Sequence, residues 1–155
     1  MINKKFLKQF IDNQNLTSRV EMALLFLEER SKNILEVNDW YKDLFIDPNV
    51  DIVNSHPQVT QQVREELEEF LNLLEEHEAK SILQIGLGHW GSTHFVLSLL
   101  LDSVTTLEYD SQFISRYQAE MDFDFEKIHE GDSTKIHGDI KEEFDAVFID
   151  GNHSY

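Results

Sequence analysis

The chain has 155 residues, room for one ordinary domain or a small domain with an attached arm, and its 41% hydrophobic content is enough for a real core. Thirteen Lys and Arg against 30 Asp and Glu leave a formal charge of −17, which repels phosphate backbones and anionic lipid and argues against nucleic-acid or membrane-surface partners. Cysteine is absent, which removes disulfides, thiolate metal sites and a cysteine nucleophile; the most apolar run, Phe95 to Leu101 with Ser98 inside it, falls far short of the roughly 20 residues that span a bilayer, so the expectation is a soluble cytoplasmic protein.

The first half is helical in pattern and contains no glycine up to about residue 80. Lys4, Lys5 and Lys8 read as a solvated helix end. Ser18-Arg-Val-Glu21 has the form of a capping box, with the helix that follows running into the Asn33 to Val37 region. Trp40, Tyr41, Leu44 and Phe45 form a short aromatic cluster that ends near Asp47-Pro48. A further helix fits from about Pro57 to His77, because Val63, Leu67, Phe70, Leu71 and Leu74 make one apolar stripe. The acids Glu65, Glu66, Glu68, Glu69, Glu75, Glu76 and Glu78 follow its polar side. They read as a solvated face, since they lack the alternating loop pattern of a calcium site.

From Ser81 the texture changes, and the chain divides into a helical region over residues 1–79 and a second unit over 80–155. Ile82 to Ile85 is strand-like, Gly91 to Leu101 helical, Val104 to Glu108 strand-like, and Ser111 to Met121 helical. Phe125 to Glu130 is a weaker strand and Phe144 to Ile149 a strong one, closed by Asp150. Strand–helix alternation at this pitch predicts an α/β fold with a parallel sheet and right-handed crossovers. Phe123, Phe125, Phe144 and Phe148 are expected in the core.

Gly86-Leu-Gly88-His-Trp-Gly91 lies between a predicted strand and a predicted helix, with the spacing G-x-G-x-x-G and the hydroxyls of Ser92 and Thr93 in the first helical turn. Such a loop permits a tight turn and close backbone approach, and the helix N-terminus offers free amides. A ligand-free glycine turn is the plain alternative. The register of acids favours the ligand. Glu108 lies 22 residues after Gly86, Asp132 lies 24 after Glu108, and Asp150 lies 18 after Asp132. Each interval is about one strand, one helix and two turns, so parallel strands put all four positions on the carboxyl-end rim where open α/β sheets bind ligands. Glu108 at the end of the second strand suits a ribose diol, and Gly131-Asp132-Ser133 is placed to reach an adenine edge. His56, His77, His89, His94, His129 and His137 show no paired zinc spacing and read as surface or loop histidines. Trp90 either shapes the pocket or simply packs. Asp150 and His153 either serve a site or terminate a strand and cap a turn.

The segments Ile82-Leu-Gln-Ile-Gly-Leu-Gly-His-Trp-Gly-Ser-Thr93, Leu107-Glu-Tyr-Asp110, Gly131-Asp-Ser133 and Phe144-Asp-Ala-Val-Phe-Ile-Asp-Gly-Asn-His-Ser-Tyr155 resemble class I S-adenosylmethionine-dependent methyltransferases. They are most similar to the branch of macrocin-type sugar O-methyltransferases and cephalosporin-hydroxylase-like proteins. The resemblance covers about residues 80 to 155. It implies a Rossmann-like parallel sheet of order 3-2-1-4 behind an α-helical N-terminal region. The family's full order is 3-2-1-4-5-7-6, so the chain reads as truncated after strand four, with that strand an uncovered apolar edge and further magnesium carboxylates expected beyond Tyr155.

The resemblance also implies roles. Gly86, Gly88 and Gly91 would line the methionine and ribose portion of S-adenosylmethionine. Glu108 would hold the ribose hydroxyls, Tyr109 would lie beside the adenine, and Asp132 and Ser133 would contact the base. In metal-dependent members the acid matching Asp150 binds Mg2+, and the histidine matching His153 takes the substrate hydroxyl's proton. Gln84 stands where the family carries an acid, so no carboxylate there can meet the cofactor's ammonium group. Three functions remain open: a methyltransferase for a small-molecule hydroxyl, metal-assisted, which is favoured; a NAD-binding Rossmann oxidoreductase; and a non-catalytic acidic interaction module. The uncovered strand edge or the N-terminal helices would serve a homo-oligomer.

Overall fold

In the computed structural model, which describes residues 2–37, 62–122 and 127–150, the first element is a two-residue strand, β1 (Ile2–Asn3), running into helix α1 (Lys4–Asp12). Asn3 caps α1, its side-chain oxygen accepting the Phe6 amide at 2.9 Å. Helix α2 (Leu16–Val37) starts earlier than the Ser18 capping box implied. Its cap is Asn15, whose Oδ1 accepts the Ser18 amide at 3.0 Å and the Ser18 hydroxyl at 2.8 Å. Asparagine is as good an N-cap as serine, and here the Ser18 amide and hydroxyl both donate to Asn15. Helix α3 (Arg64–Glu76) buries Leu67, Leu71 and Leu74, the stripe expected from their spacing, with Phe70 packed beside them. The cluster at Trp40, Tyr41, Leu44 and Phe45, the 57–61 part of the expected helix, Phe123 and Phe125 lie outside the described residues.

After α3 come β2 (Ser81–Ile85), α4 (Ser92–Leu100), β3 (Ser103–Glu108), α5 (Ser111–Glu120), β4 (Met121–Asp122), β5 (Lys127–Glu130) and β6 (Ala146–Ile149). The helix expected between Asp132 and Asp150 is not formed, residues 131–145 running as turns and irregular backbone. Four of the strands form one parallel sheet, in spatial order β5-β3-β2-β6. In order of succession that is third, second, first, fourth, the Rossmann-like arrangement expected. Ile85 pairs with Leu107 on one side and Ile149 on the other, so the carboxyl ends of these strands are level. At the opposite end Asp145 ties β6 to β2, its Oδ2 accepting the Lys80 amide at 2.8 Å, the Ser81 amide at 2.9 Å and the Ser81 hydroxyl at 3.0 Å. A second pairing was not foreseen: β1 lies parallel to β4, with Ile2 opposite Met121.

Every residue of α4 is buried, the apolar Phe95, Val96, Leu97, Leu99 and Leu100 together with Ser92, Thr93, His94 and Ser98. It packs on the sheet at β3 and is covered by α1 and α2. Ile11, Val20, Leu24 and Leu27 of the N-terminal helices thereby share one core with Ile82, Phe95, Leu97 and Val104. Phe70 of α3 meets Phe148 of β6 with ring centroids 5.2 Å apart. Val147 and Ile149 point the other way and are exposed, on a strand that is the sheet's edge among the described residues.

Two sequence expectations are corrected here. Lys4 is not part of a solvated helix end: it is fully buried, and its Nζ donates to the Tyr117 hydroxyl at 3.0 Å. Lys8 is half-buried and donates to the Leu101 carbonyl at 2.8 Å. The reason is the β1–β4 pair, which begins where α5 ends and draws the first turn of α1 inward. His94 is likewise no surface histidine; it is fully buried, its Nδ1 2.6 Å from the Thr106 hydroxyl. Among the described residues no helix is long and apolar enough to cross a membrane.

Candidate functional site

The glycine loop leaves β2 at Ile85 and turns into α4 through three left-handed residues, Gly86 (φ 91°), Gly88 (φ 72°) and Gly91 (φ 59°). A side chain would be strained at each of them. Two are also spatially distinct. A Cβ on Gly88 would meet nothing within 4 Å, so the loop is open there. A Cβ on Gly91 would come within 2.5 Å of Tyr117 Cδ2, because the loop rests on that ring.

Glu108 ends the second strand beside this loop and is 7% exposed. Its Oε2 accepts the amides of Leu87 at 2.6 Å and Gly88 at 3.2 Å, and its Oε1 accepts the Asp110 amide at 2.8 Å. A carboxylate offers about four acceptor positions, so roughly one stays available to an incoming hydroxyl while the loop keeps this form. Tyr109, next along, is 78% exposed at the rim. The ladder bonds Gly86 N–H to Leu107 O, Gly131 N–H to Glu108 O and Asp150 N–H to Ile85 O, each 2.8 Å, carry Gly86, Glu108, Gly131 and Asp150 onto one edge.

The side chains of the other candidate residues are engaged in various ways. Asp132 folds back on its own turn: Oδ1 accepts the Thr134 amide and hydroxyl, at 2.9 and 2.7 Å, and these bonds hold its carboxyl below the ordinary aspartate range. Its neighbour Ser133 is exposed. Asp150 is exposed and accepts the Gln62 side-chain amide at 2.7 Å. Ser92 and Thr93 are buried, and the Ser92 hydroxyl is bonded to Arg30. Gln84 is buried, donates to the Gly86 carbonyl at 2.7 Å, and its Oε1 has no hydrogen-bond partner among the described residues. His153 lies outside the described residues.

Three basic side chains around the loop escaped the motif reading. Arg30 of α2, 3% exposed, donates to the Trp90 carbonyl at 2.5 Å and the Ser92 hydroxyl at 3.1 Å, and is paired with Glu120 at 2.8 Å. Arg116 of α5 donates to the His89 carbonyl at 3.1 Å and lies 5.0 Å over the Trp90 ring. Trp90 itself is buried against it. Lys4 supports the ring of Tyr117 on which Gly91 rests; burial, then the charges of Arg30 and Lys8, lower its pKa from 10.5 to about 6. Nothing in the local sequence marks these residues, because their partners are 27 to 113 positions away.

No protein-family model and no curated protein sequence matches this chain. Among solved structures it is similar to the SAH-bound methyltransferase PaMTH1 of Podospora anserina, with a TM-score of 0.54 and 18% identity over 84% of this chain and 50% of that one. It is also similar to a Staphylococcus aureus protein assigned as a caffeoyl-CoA O-methyltransferase, with a TM-score of 0.53 and 21% identity over 81% of this chain and 62% of that one. The chain thus spans half the length of the first and less than two thirds of the second. At these identities the likeness is one of fold, and the fold is the Rossmann-like α/β sheet that both methyltransferases share with this chain.

Proposed function

We propose that this chain binds S-adenosylmethionine and is the cofactor-binding part of a class I methyltransferase, of the macrocin-type or cephalosporin-hydroxylase-like branch, acting on a small-molecule hydroxyl. The observation that carries the reading is Glu108: a buried carboxylate at the end of the second strand, in direct hydrogen bonding with the glycine loop of the first. Acid and loop together suit a nucleoside, one hydroxyl of its ribose taking the acceptor position that remains on Glu108. The chain's likeness in fold to an SAH-bound methyltransferase supports the choice of cofactor.

The residues present fit that group. Gly88 leaves the loop backbone open to close approach. The buried Oε1 of Gln84, beside the loop, is an acceptor that a ligand ammonium would satisfy, and such an orphaned acceptor otherwise costs about 1–3 kcal/mol. Tyr109 is exposed for stacking on a base, and Asp132 with Ser133 stands at the next strand end. Bound S-adenosylmethionine supplies an electrophilic methyl group. In this reading His153 accepts the proton of the substrate hydroxyl, the role its near-neutral ordinary pKa suits. A magnesium site does not fit the described residues: Asp150 is bonded to Gln62, and no three acids or histidines among them gather to hold a metal.

Titration calorimetry with S-adenosylhomocysteine and, separately, with NAD tests the proposal. Saturable binding of the first and none of the second is expected. A folded protein that binds NAD, or that gives no heat with S-adenosylhomocysteine, refutes it.

A further inference from the structure

The backbone of the glycine loop is held on all sides by side chains from elsewhere. Glu108 takes the Leu87 and Gly88 amides, Arg116 the His89 carbonyl, and Arg30 the Trp90 carbonyl. Three of these four bonds come from the Rossmann-like unit itself. Arg30 does not: it belongs to α2, 60 residues earlier than Trp90.

Its guanidinium engages four of its five N–H donors. Nη2 reaches the Trp90 carbonyl at 2.5 Å and Glu120 Oε2 at 2.8 Å, Nη1 the Ser92 hydroxyl at 3.1 Å, and Nε the Glu120 Oε1 at 3.2 Å. Its Cζ lies 5.1 Å from the centroid of the Phe95 ring and 5.6 Å from that of Tyr117. Trp90 and Ser92 flank Gly91, the left-handed residue that caps α4. The fork therefore spans the one joint at which loop becomes helix, and its other edge is anchored to the end of α5 through Glu120. A lysine has one point charge on a flexible stem and cannot hold both sides of that joint.

We propose that Arg30 is a positioning residue for the cofactor loop, so that helix α2 is a working part of the binding site and not only its cover. The proposal rests on the S-adenosylmethionine reading for its ligand, but not for its effect on the loop. A loop already held in its bound form spares the ligand the cost of ordering it.

Two readouts on the full chain test this, with Arg30→Met and Arg30→Lys set beside wild type. The first is hydrogen exchange of the amides of residues 87–93 in the ligand-free protein; the second is the dissociation constant for S-adenosylhomocysteine. Arg30→Met should speed exchange in that segment about tenfold while Val104 to Leu107 of β3 stay protected, and should weaken binding about tenfold, equivalent to about 1.4 kcal/mol. Arg30→Lys should recover little of either. Unchanged loop exchange, a uniform rise across the sheet, or faster loop exchange with unaltered affinity would each overturn the proposal. If wild type fails to bind S-adenosylhomocysteine, the cofactor reading falls, and loop exchange alone decides the role of Arg30. Should Arg30→Met not fold, Glu120→Gln, which loosens the same guanidinium, is judged by the same two criteria.

Discussion

Replacing Gly91 with alanine tests the packing of the loop against the core. At φ 59° an alanine is strained by about 1–2 kcal/mol. Its Cβ would also lie 2.5 Å from Tyr117 Cδ2, 3.0 Å from Cε2 and 3.1 Å from Leu87 Cδ1. The ring has little room to yield. Tyr117 is fully buried, its hydroxyl receives Lys4 at 3.0 Å, and His94 packs edge-on to it at 5.2 Å. Overpacking of this kind costs about 1–3 kcal/mol, so the two effects together come to roughly 3 kcal/mol. For a chain of this size that lowers Tm by about 6–12 °C. Gly88→Ala is the internal control: its φ of 72° carries similar strain, but a Cβ there meets nothing within 4 Å. Thermal unfolding followed by far-UV circular dichroism should show Gly91→Ala clearly less stable than Gly88→Ala. Equal losses would mean that the Tyr117 ring does not support Gly91.

Three further outcomes are expected. Lys4→Met should be stabilising at about pH 6, and that advantage should shrink steadily as pH rises towards 10.5: because the folded-state pKa of Lys4 is lowered from 10.5 to about 6, the unfolded wild type binds a proton that the native state lacks, and wild-type stability rises with pH over this window. Urea midpoints at several pH values check this, and parallel profiles for the two proteins would refute it. Glu108→Ala removes the acceptor of the Leu87, Gly88 and Asp110 amides, so chemical denaturation should show a loss of about 3 kcal/mol, and calorimetry no S-adenosylhomocysteine binding. Asp145→Ala should flatten the acid limb of stability: hydrogen bonds from Lys80 and Ser81 lower the carboxyl's pKa, so its contribution is present above the ordinary value of 3.8 and is lost as pH falls below it. An acid limb identical to wild type in thermal melts would show that these bonds add nothing.

The sheet order, the position of the loop and the level rim were legible because each depends on a short-range signal. Short apolar runs such as Ile82 to Ile85 mark strands, and glycines mark the left-handed turns of the loop. The spacing of Gly86, Glu108 and Asp132 follows from the length of one strand-and-helix unit; Asp150 reaches the same rim without a helix, because residues 131–145 run as turns and irregular backbone between β5 and β6. The start of α2 was misplaced by one such signal, since Asn15 and Ser18 compete for the same cap. Side-chain direction at the rim was less accessible. Asp132 lies at the expected strand end, yet its carboxylate turns to Thr134, a partner two residues away that rim spacing says nothing about.

By itself the amino-acid sequence determined the four strands of the main sheet, the left-handed turns at the glycine loop, and which edge gathers the acids, because backbone conformation responds to neighbours a few positions off. The tertiary structure alone decided that Lys4, Arg30 and His94 lie inside. A long cationic side chain is apolar along its stem and charged at its tip, so its sequence neighbourhood permits either solvent or interior. The choice fell to partners far away in the chain, Tyr117 for Lys4 and Trp90, Ser92 and Glu120 for Arg30, which meet them only once α1 and α2 have packed over α4.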